Sequence, residues 1–336
     1  MNLLFVTSTR IGDAVLSTGL LDHLVGRHPG IRVTVACGFA AGPLFAALPG
    51  LERVIVLDKW QDGRGSGLGH WLQLWRATVG TRWDVVVDLR GSALALLLRA
   101  GRRFVWRRPN KARGGADAHR VIQLAGVLGL AEPPPPRVWL DAAHHGAAAR
   151  LIPPGAPVLA LGPTTSWVGK QWPIERFAAL AHDLTAPDGP LPGARIAVFA
   201  APTERAAAAP LLAALPRART IDVIDAGDIL SVAAALQRCA FYVGNDSGLM
   251  HLAAACGVPT LGLFGPSNER HYAPWGARAA AVRTPESFEV LAARRHVDPG
   301  AASGLMATLD VARVMAAARA LADRCGVASA VAVASR

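Results

Sequence analysis

Short unbroken apolar runs alternate along this chain with longer stretches whose apolar residues recur every three or four positions. That is the pattern of strands buried on both faces, separated by helices buried on one. In the first half, residues 3–7, 32–37, 54–57 and 83–89 read as strands and residues 14–25, 68–79, 93–99 and 118–130 as helices, with a glycine-rich helix start near 38–42. Residues 132–136, Glu-Pro-Pro-Pro-Pro, admit neither helix nor central strand, because proline lacks an N–H and fixes φ. With Pro153 and Pro154 they bracket a domain boundary, set at residue 150. The alternation then restarts, with strands at 158–161, 194–200, 221–224 and 241–243 and helices at 174–184 and 229–238. A helix follows from Ser247 to the Gly257-Val258-Pro259 stop, and a strand at 260–264 comes next. Beyond residue 276 the pattern weakens, leaving a last helix at 309–324 and an alanine-rich tail, 327–336, expected to fray. The expectation is an α/β protein of two Rossmann-like domains, 1–150 and 151–326, facing a central cleft.

A length of 336 residues suffices for two domains, each with its own core. Hydrophobic content of 52% suggests a membrane protein, but alanine supplies much of it, and no window of eighteen residues lacks charge and turn residues. No transmembrane helix is therefore expected. Residues 1–8 read as a strand rather than a signal peptide, which points to the cytosol. Cys37, Cys239, Cys256 and Cys325 are scattered without CxxC or CxxH spacing, so neither a zinc site nor a disulfide framework is indicated. Charge is more informative. Of a net +11, residues 1–150 carry 19 basic against 10 acidic side chains, and residues 151–336 only 16 against 14. Arg99, Arg102, Arg103, Arg107, Arg108, Lys111 and Arg113 form an acid-free run around Trp106, which suits either a solvated face or an anionic partner. No nucleic-acid-binding motif accompanies it, so nucleic acid is not an expected partner.

The densest chemistry lies in residues 241–276. The chain breaks at Gly244 and restarts as a helix with Asp246, Ser247 and Gly248 at its entry. Free backbone N–H groups and a helix dipole just past a strand make an anion site, and His251, one turn in, can face the same space. Capping and packing are the alternative roles of these residue types. Residues 162–173 form a loop with Thr164, Thr165 and Lys170, and Glu204 lies in a similar loop after the next strand. Asp13 sits near a helix start at the carboxyl end of the first strand, as a cap or as a catalytic carboxylate. The glycines at 63, 65, 67 and 69 miss the dinucleotide spacing, since His70 stands where a glycine is needed, and read as a flexible loop. No cluster of acidic metal ligands is visible, and no cofactor is expected.

The run GNDSGLMHLAAACGVPTLGLFGP resembles the signature of glycosyltransferase family 9, the ADP-heptose:lipopolysaccharide heptosyltransferases. In that family this segment holds the diphosphate and ribose of the sugar nucleotide. FVTSTRIGDAVLSTGLLDHL resembles the family's opening motif, whose glycine-aspartate pair supplies the catalytic carboxylate, here Asp13. Hydroxylated residues followed by Lys and Trp-Pro carry Thr164, Thr165 and Lys170 over as donor-binding, and Glu204 resembles the family's ribose glutamate. Asp246, Ser247, Gly248 and His251 complete the donor set that the resemblance implies.

The resemblance covers most of the chain and implies the GT-B architecture, with an acceptor-binding first domain and a nucleotide-sugar-binding second domain. It implies transfer of a heptose-type sugar from ADP-heptose to an acidic glycolipid of the lipopolysaccharide inner core, by metal-independent inverting displacement. Asp13 would be the general base, while Lys170 and the helix start at Ser247 would meet the leaving diphosphate. The expected partners are an ADP-sugar, an anionic glycolipid and the anionic inner leaflet, met by the basic first half of a cytoplasmic, peripheral protein. An epimerase-like sugar-nucleotide enzyme with further carboxylates and a catalytically silent nucleotide-binding module are the readings from other classes.

Overall fold

A computed structural model describes residues 1–57, 69–107, 115, 117–297 and 304–327, and the chain divides into two units, Met1–Asp141 and Ala142–Arg336. In the first unit the apolar runs become β1 (Asn2–Val6), β2 (Arg32–Cys37), β3 (Leu51–Val56), β4 (Trp83–Asp88) and β5 (Ala100–Val105). They form one sheet in the order β3-β2-β1-β4-β5, with every pairing parallel. Central β1 buries Leu3, Leu4, Phe5 and Val6 completely or nearly so, as a strand covered on both faces must. The helices are α1 (Ile11–Arg27), α2 (Gly69–Thr78), α3 (Leu94–Leu97) and α4 (Arg120–Ala125). One core layer joins Leu4, Val86, Leu74, Trp83 and Leu94.

Two expectations fail here. Residues 93–99 are helical only over α3, and the arginine-rich stretch after them is the edge strand β5. Its Gly101, Arg102 and Arg103 face solvent, so the apolar signal of a strand is lost. The Arg103 guanidinium turns back to donate to the carbonyls of Ala95 (2.9 Å), Leu98 (2.6 Å) and Ala100 (3.0 Å), and so supplies partners for the end of α3. The helix expected over 118–130 is reduced to α4, after which Gly126 and Gly129 turn the chain out. Of the other sequence features, Gly63, Gly65, Gly67, Arg108, Lys111, Arg113 and the tail 328–336 lie outside the described residues.

The proline run is fastened along α1. Arg137 N donates to Thr18 Oγ1 (2.9 Å) and Trp139 Nε1 to Asp22 Oδ1 (3.2 Å). Gly19, an unfavourable residue for a helix interior, is what lets them close: a Cβ there would stand 2.3 Å from the Pro134 carbonyl oxygen and 2.5 Å from that of Pro135.

The second unit starts with α5 (Ala142–Leu151) and continues through β6 (Val158–Gly162), α6 (Ile174–Thr185), β7 (Arg195–Val198), α7 (Arg205–Ala214), β8 (Thr220–Asp222) and α8 (Ile229–Leu236). Then come β9 (Phe241–Asn245), α9 (Gly248–Ala255), β10 (Thr260–Phe264), α10 (Glu269–Tyr272), β11 (Ala279–Arg283), α11 (Phe288–Val297) and α12 (Val311–Arg324). The six strands pair in parallel in the order β11-β10-β9-β6-β7-β8. Helix α5 packs on α8 within this unit. β10 spans the residues expected of it, and Gly257, at φ +79°, ends α9 where the sequence put the stop. β11 and α11 lie where the pattern had weakened. Phe177, Leu180, Leu184, Ile196, Val243, Leu263, Val314 and Leu321 share one core.

No described helix is long and apolar enough to cross a membrane. All four cysteines are free, and burial pushes the Cys37, Cys239 and Cys256 thiols up to about 12.

Replacing Gly19 with alanine tests the seam between α1 and the proline run. Alanine gains roughly 1 kcal/mol of helix propensity, but overpacking against backbone atoms costs about 1–3 kcal/mol. The expected outcome in a thermal melt is net destabilisation of Gly19→Ala, whereas Gly26→Ala, which meets nothing within 4 Å, should stabilise.

Candidate functional site

In a sheet whose strands all run one way, every β-to-α loop leaves from the carboxyl edge, and in the second unit the polar loops gather there. The organising residue is Asn245, the last of β9 and fully buried. Its Nδ2 donates to the Pro163 carbonyl (2.6 Å) and its Oδ1 accepts from Trp172 N (3.0 Å), so one amide fixes both ends of the 163–172 loop against β9. Trp172 anchors the far end, with Nε1 on the Leu309 carbonyl (2.7 Å) and its ring edge-on to Phe177.

Held this way, the loop delivers Lys170 to Asp246: Nζ and Oδ2 are 2.6 Å apart, with Asp246 almost fully buried. Thr165 Oγ1 donates to the Asp246 carbonyl (3.4 Å), and Thr164 Oγ1 donates to Glu204 Oε2 (2.7 Å). Glu204 also accepts from Ala201 N (3.2 Å) and holds the N-cap position of α7, so its carboxylate orders its own loop while gripping Thr164. Ser247 is the N-cap of α9 but makes no side-chain capping bond, and Asp246 is engaged with Lys170 rather than with the helix. The first N–H groups of α9, beginning at Gly248, therefore keep their hydrogen-bonding capacity for something else. His251, in the first turn, is buried. Thr164, Thr165, Lys170, Glu204, Asp246, Ser247, Gly248 and His251 thus gather at one edge of one sheet. A buried carboxylate holding an ammonium beside a helix N-terminus is suited to an anion.

Beneath them lies Tyr242, a residue the sequence reading passed over as strand core. Its ring runs along β9 toward the same edge, across Gly162 of β6 and Gly244 of β9, which pair directly. A Cβ on Gly162 would stand 2.0 Å from the Tyr242 hydroxyl oxygen, and one on Gly244 would stand 2.3 Å from it.

The first unit has its own pocket, of about 280 Å³, lined by Thr7, Ser8, Asp13, Arg90, Trp106 and Arg120 among others. Asp13 is not the cap of α1, because Arg10 holds that position, and among the described residues its Oδ2 receives a long 3.5 Å contact from Ser8 Oγ. Arg90 and Arg120 did not stand out in the sequence. Arg90 is delivered by Asp88, a buried carboxylate that accepts from the backbone N–H groups of Arg90, Gly91 and Ser92 at 2.9–3.1 Å. Gly91, at φ +66°, completes that turn. The spacing Asp-x-Arg-Gly-Ser is a turn signature that could have flagged it. Arg90 stacks over Trp71, with its Nη1 buried and unpartnered among the described residues, and burial pulls the guanidinium below its usual range against the pull of Asp88. Arg120 lies 4.1 Å over the Trp106 ring. A carboxylate beside two stacked guanidiniums can take a proton from one part of a ligand while an anionic part is held alongside.

Among known proteins, the description of glycosyltransferase family 9 (heptosyltransferase) matches residues 99–295. Lipopolysaccharide heptosyltransferase 1 of Pseudomonas aeruginosa is 29% identical over 296 residues, 80% of this chain and 79% of that protein. Lipopolysaccharide heptosyltransferase 2 of Salmonella typhimurium is 24% identical over 313 residues, 84% of this chain and 88% of that protein. Of solved structures, a family 9 glycosyl transferase from Veillonella parvula aligns with a TM-score of 0.73 at 20% identity, over 96% of this chain and 97% of that one. The ADP-heptose lps heptosyltransferase II of E. coli aligns with a TM-score of 0.69 at 20% identity, over 96% and 98%. The fold is therefore that of the GT-B class, with two parallel-sheet α/β units as expected.

Replacing Asn245 with alanine strips the Pro163 carbonyl and the Trp172 N–H of their buried partner, at a cost of about 1–3 kcal/mol. Asn245→Ala should melt at lower temperature, and hydrogen exchange should rise first in residues 163–172 rather than across the sheet.

Proposed function

This chain belongs to glycosyltransferase family 9, and from that premise we propose that it moves a heptose-type sugar from ADP-heptose to an anionic glycolipid of the lipopolysaccharide inner core. Membership makes it a transferase. The observation that carries the finer reading is the anion cage at the carboxyl edge of the second sheet, where Lys170, Asp246 and the start of α9 meet. The relatives named for lipopolysaccharide heptosyl transfer support the choice of sugar and acceptor.

In this reading the donor diphosphate lies against the N–H groups at Ser247 and Gly248, with Lys170 beside it and His251 lining the site. Thr164, Thr165 and Glu204 address the rest of the nucleotide. The acceptor hydroxyl attacks the anomeric carbon as the bond to the diphosphate breaks, so the configuration inverts. Its proton passes to Asp13, and the bonding pair leaves with ADP. Negative charge grows on the leaving oxygen, and a fixed ammonium with a helix dipole stabilises it without a metal ion. Asp246 keeps Lys170 aimed while the donor is absent. In the first unit, Arg90 and Arg120 hold an anionic group of the acceptor next to the Asp13 carboxylate.

The same reading makes the protein cytoplasmic and peripheral at the inner leaflet. Leu96 and Leu97 are 70% and 66% exposed, and Arg99 and Arg102, close by in the chain, are exposed as well, so apolar and positively charged side chains both reach solvent in this stretch.

Asp13→Asn should lower turnover by about 10²-fold or more while leaving ADP-sugar binding intact, and turnover of the parent should survive EDTA. Unchanged turnover of the variant at saturating acceptor would remove Asp13 as the base. For the surface, the triple variant Arg99→Glu/Arg102→Glu/Arg107→Glu should lose salt-sensitive co-sedimentation with anionic vesicles, each cation contributing roughly 1 kcal/mol, with nucleotide affinity unchanged. Arg103 is left in place because its guanidinium is held by backbone carbonyls.

A further inference from the structure

Tyr242 is completely buried, yet its hydroxyl has no hydrogen-bond partner among the described residues. The Ser247 hydroxyl, at the entry to α9, is likewise buried without a partner. Burial of one unsatisfied hydroxyl is unfavourable, and two at the same place in a fold are uncommon unless something absent completes them. Packing does not demand the phenolic oxygen. The ring already lies over Gly162 and Gly244, and phenylalanine would fill that space without an orphaned polar atom. Instead, two glycines leave room for the oxygen to extend toward the carboxyl edge of β9. Burial pushes the phenol well above its usual range, so the hydroxyl keeps its proton and has it to donate. Ser247, which favours ionisation, and Glu204, which opposes it, lie close enough to bear on it.

We propose that Tyr242 is a positioning residue for the donor: its hydroxyl donates to Ser247 Oγ from beneath and turns the serine O–H toward an anionic oxygen seated at the start of α9. Donor binding then satisfies both orphaned hydroxyls at once, since Ser247 accepts from Tyr242 while it donates to the ligand. The proposal rests on the reading of this edge as the site of the donor diphosphate. It adds that the serine's direction is set from within the sheet rather than by the helix it caps. Without Tyr242, the serine hydroxyl is free to turn to a backbone carbonyl, and part of its contribution to anion binding is lost.

The test is a double-mutant cycle read by calorimetry with ADP as the probe, on the parent, Tyr242→Phe, Ser247→Ala and the double variant. Tyr242→Phe should weaken ADP about three- to tenfold, the size of one hydrogen bond, with ligand-free thermal stability unchanged or raised. In the Ser247→Ala background, Tyr242→Phe should cause no further loss, because its route to the ligand is gone. Steady-state kinetics should show the donor KM raised and the acceptor KM unchanged in Tyr242→Phe. ADP affinity equal to the parent's would overturn the proposal, as would an equal loss in both backgrounds. If the parent takes up no ADP, the donor reading itself fails, and that failure is distinct from a parent that binds while Tyr242→Phe is silent.

Discussion

Parallel pairing is the constraint on which both sites depend. When every strand of a sheet runs the same way, the covered faces must be apolar and the carboxyl edge collects each β-to-α loop, so polar chemistry has one place to go. In the second unit a buried amide, Asn245, turns that general tendency into a defined geometry. It locks the loop that carries Lys170 to the strand that leads into Asp246. In the first unit a buried carboxylate, Asp88, does the equivalent service for Arg90 by gathering three backbone N–H groups. In both cases the residue that shapes the site is one position or two before the candidate site residues, and it is held mainly by backbone groups, with the Ser92 hydroxyl added at Asp88.

That arrangement explains what was legible in the chain and what was hidden. The strand at Thr260–Phe264, the stop at Gly257 and the turn into α9 were legible because each depends on its own residue types and near neighbours. The cage around Lys170 could be anticipated only through family likeness, since its partner lies 76 residues away. β5 was hidden for another reason: an edge strand with solvent-facing arginines carries no apolar alternation. Tyr242 was hidden because nothing local separates it from a tyrosine that simply packs, and Arg90 because its only local sign is the Asp-x-Arg-Gly-Ser turn that holds it. Tyr242 becomes conspicuous only when the glycines across the pairing register are seen to leave room for its oxygen.

Net charge also reads differently once the arginines are located. Arg103 donates to the end of α3, Arg176 to the carbonyls of Ala307 and Leu309, Arg195 to those of Pro153 and Ala156, and Arg238 to that of Ile152. These guanidiniums supply partners to carbonyls that helix ends and irregular loops leave over. A chain rich in alanine and proline, with few side-chain hydroxyls and amides to do this, uses arginine instead. Part of the basic content is therefore architectural, whereas Arg99, Arg102 and Arg107 in the first unit are exposed.

The crossing of Tyr242 over Gly162 and Gly244 has a consequence for how such a chain can change. Positions 162 and 244 belong to different strands and are far apart in sequence, yet the volume of one aromatic ring binds them into a single steric unit. A side chain introduced at either glycine collides with the ring, whereas shrinking residue 242 alone opens a cavity under the turn into α9. Each single step is therefore uphill, and viable alternatives differ at two or three of these positions together. Among relatives, an aromatic residue at this point of the strand should travel with glycine at both of the others, and a smaller one should release them jointly.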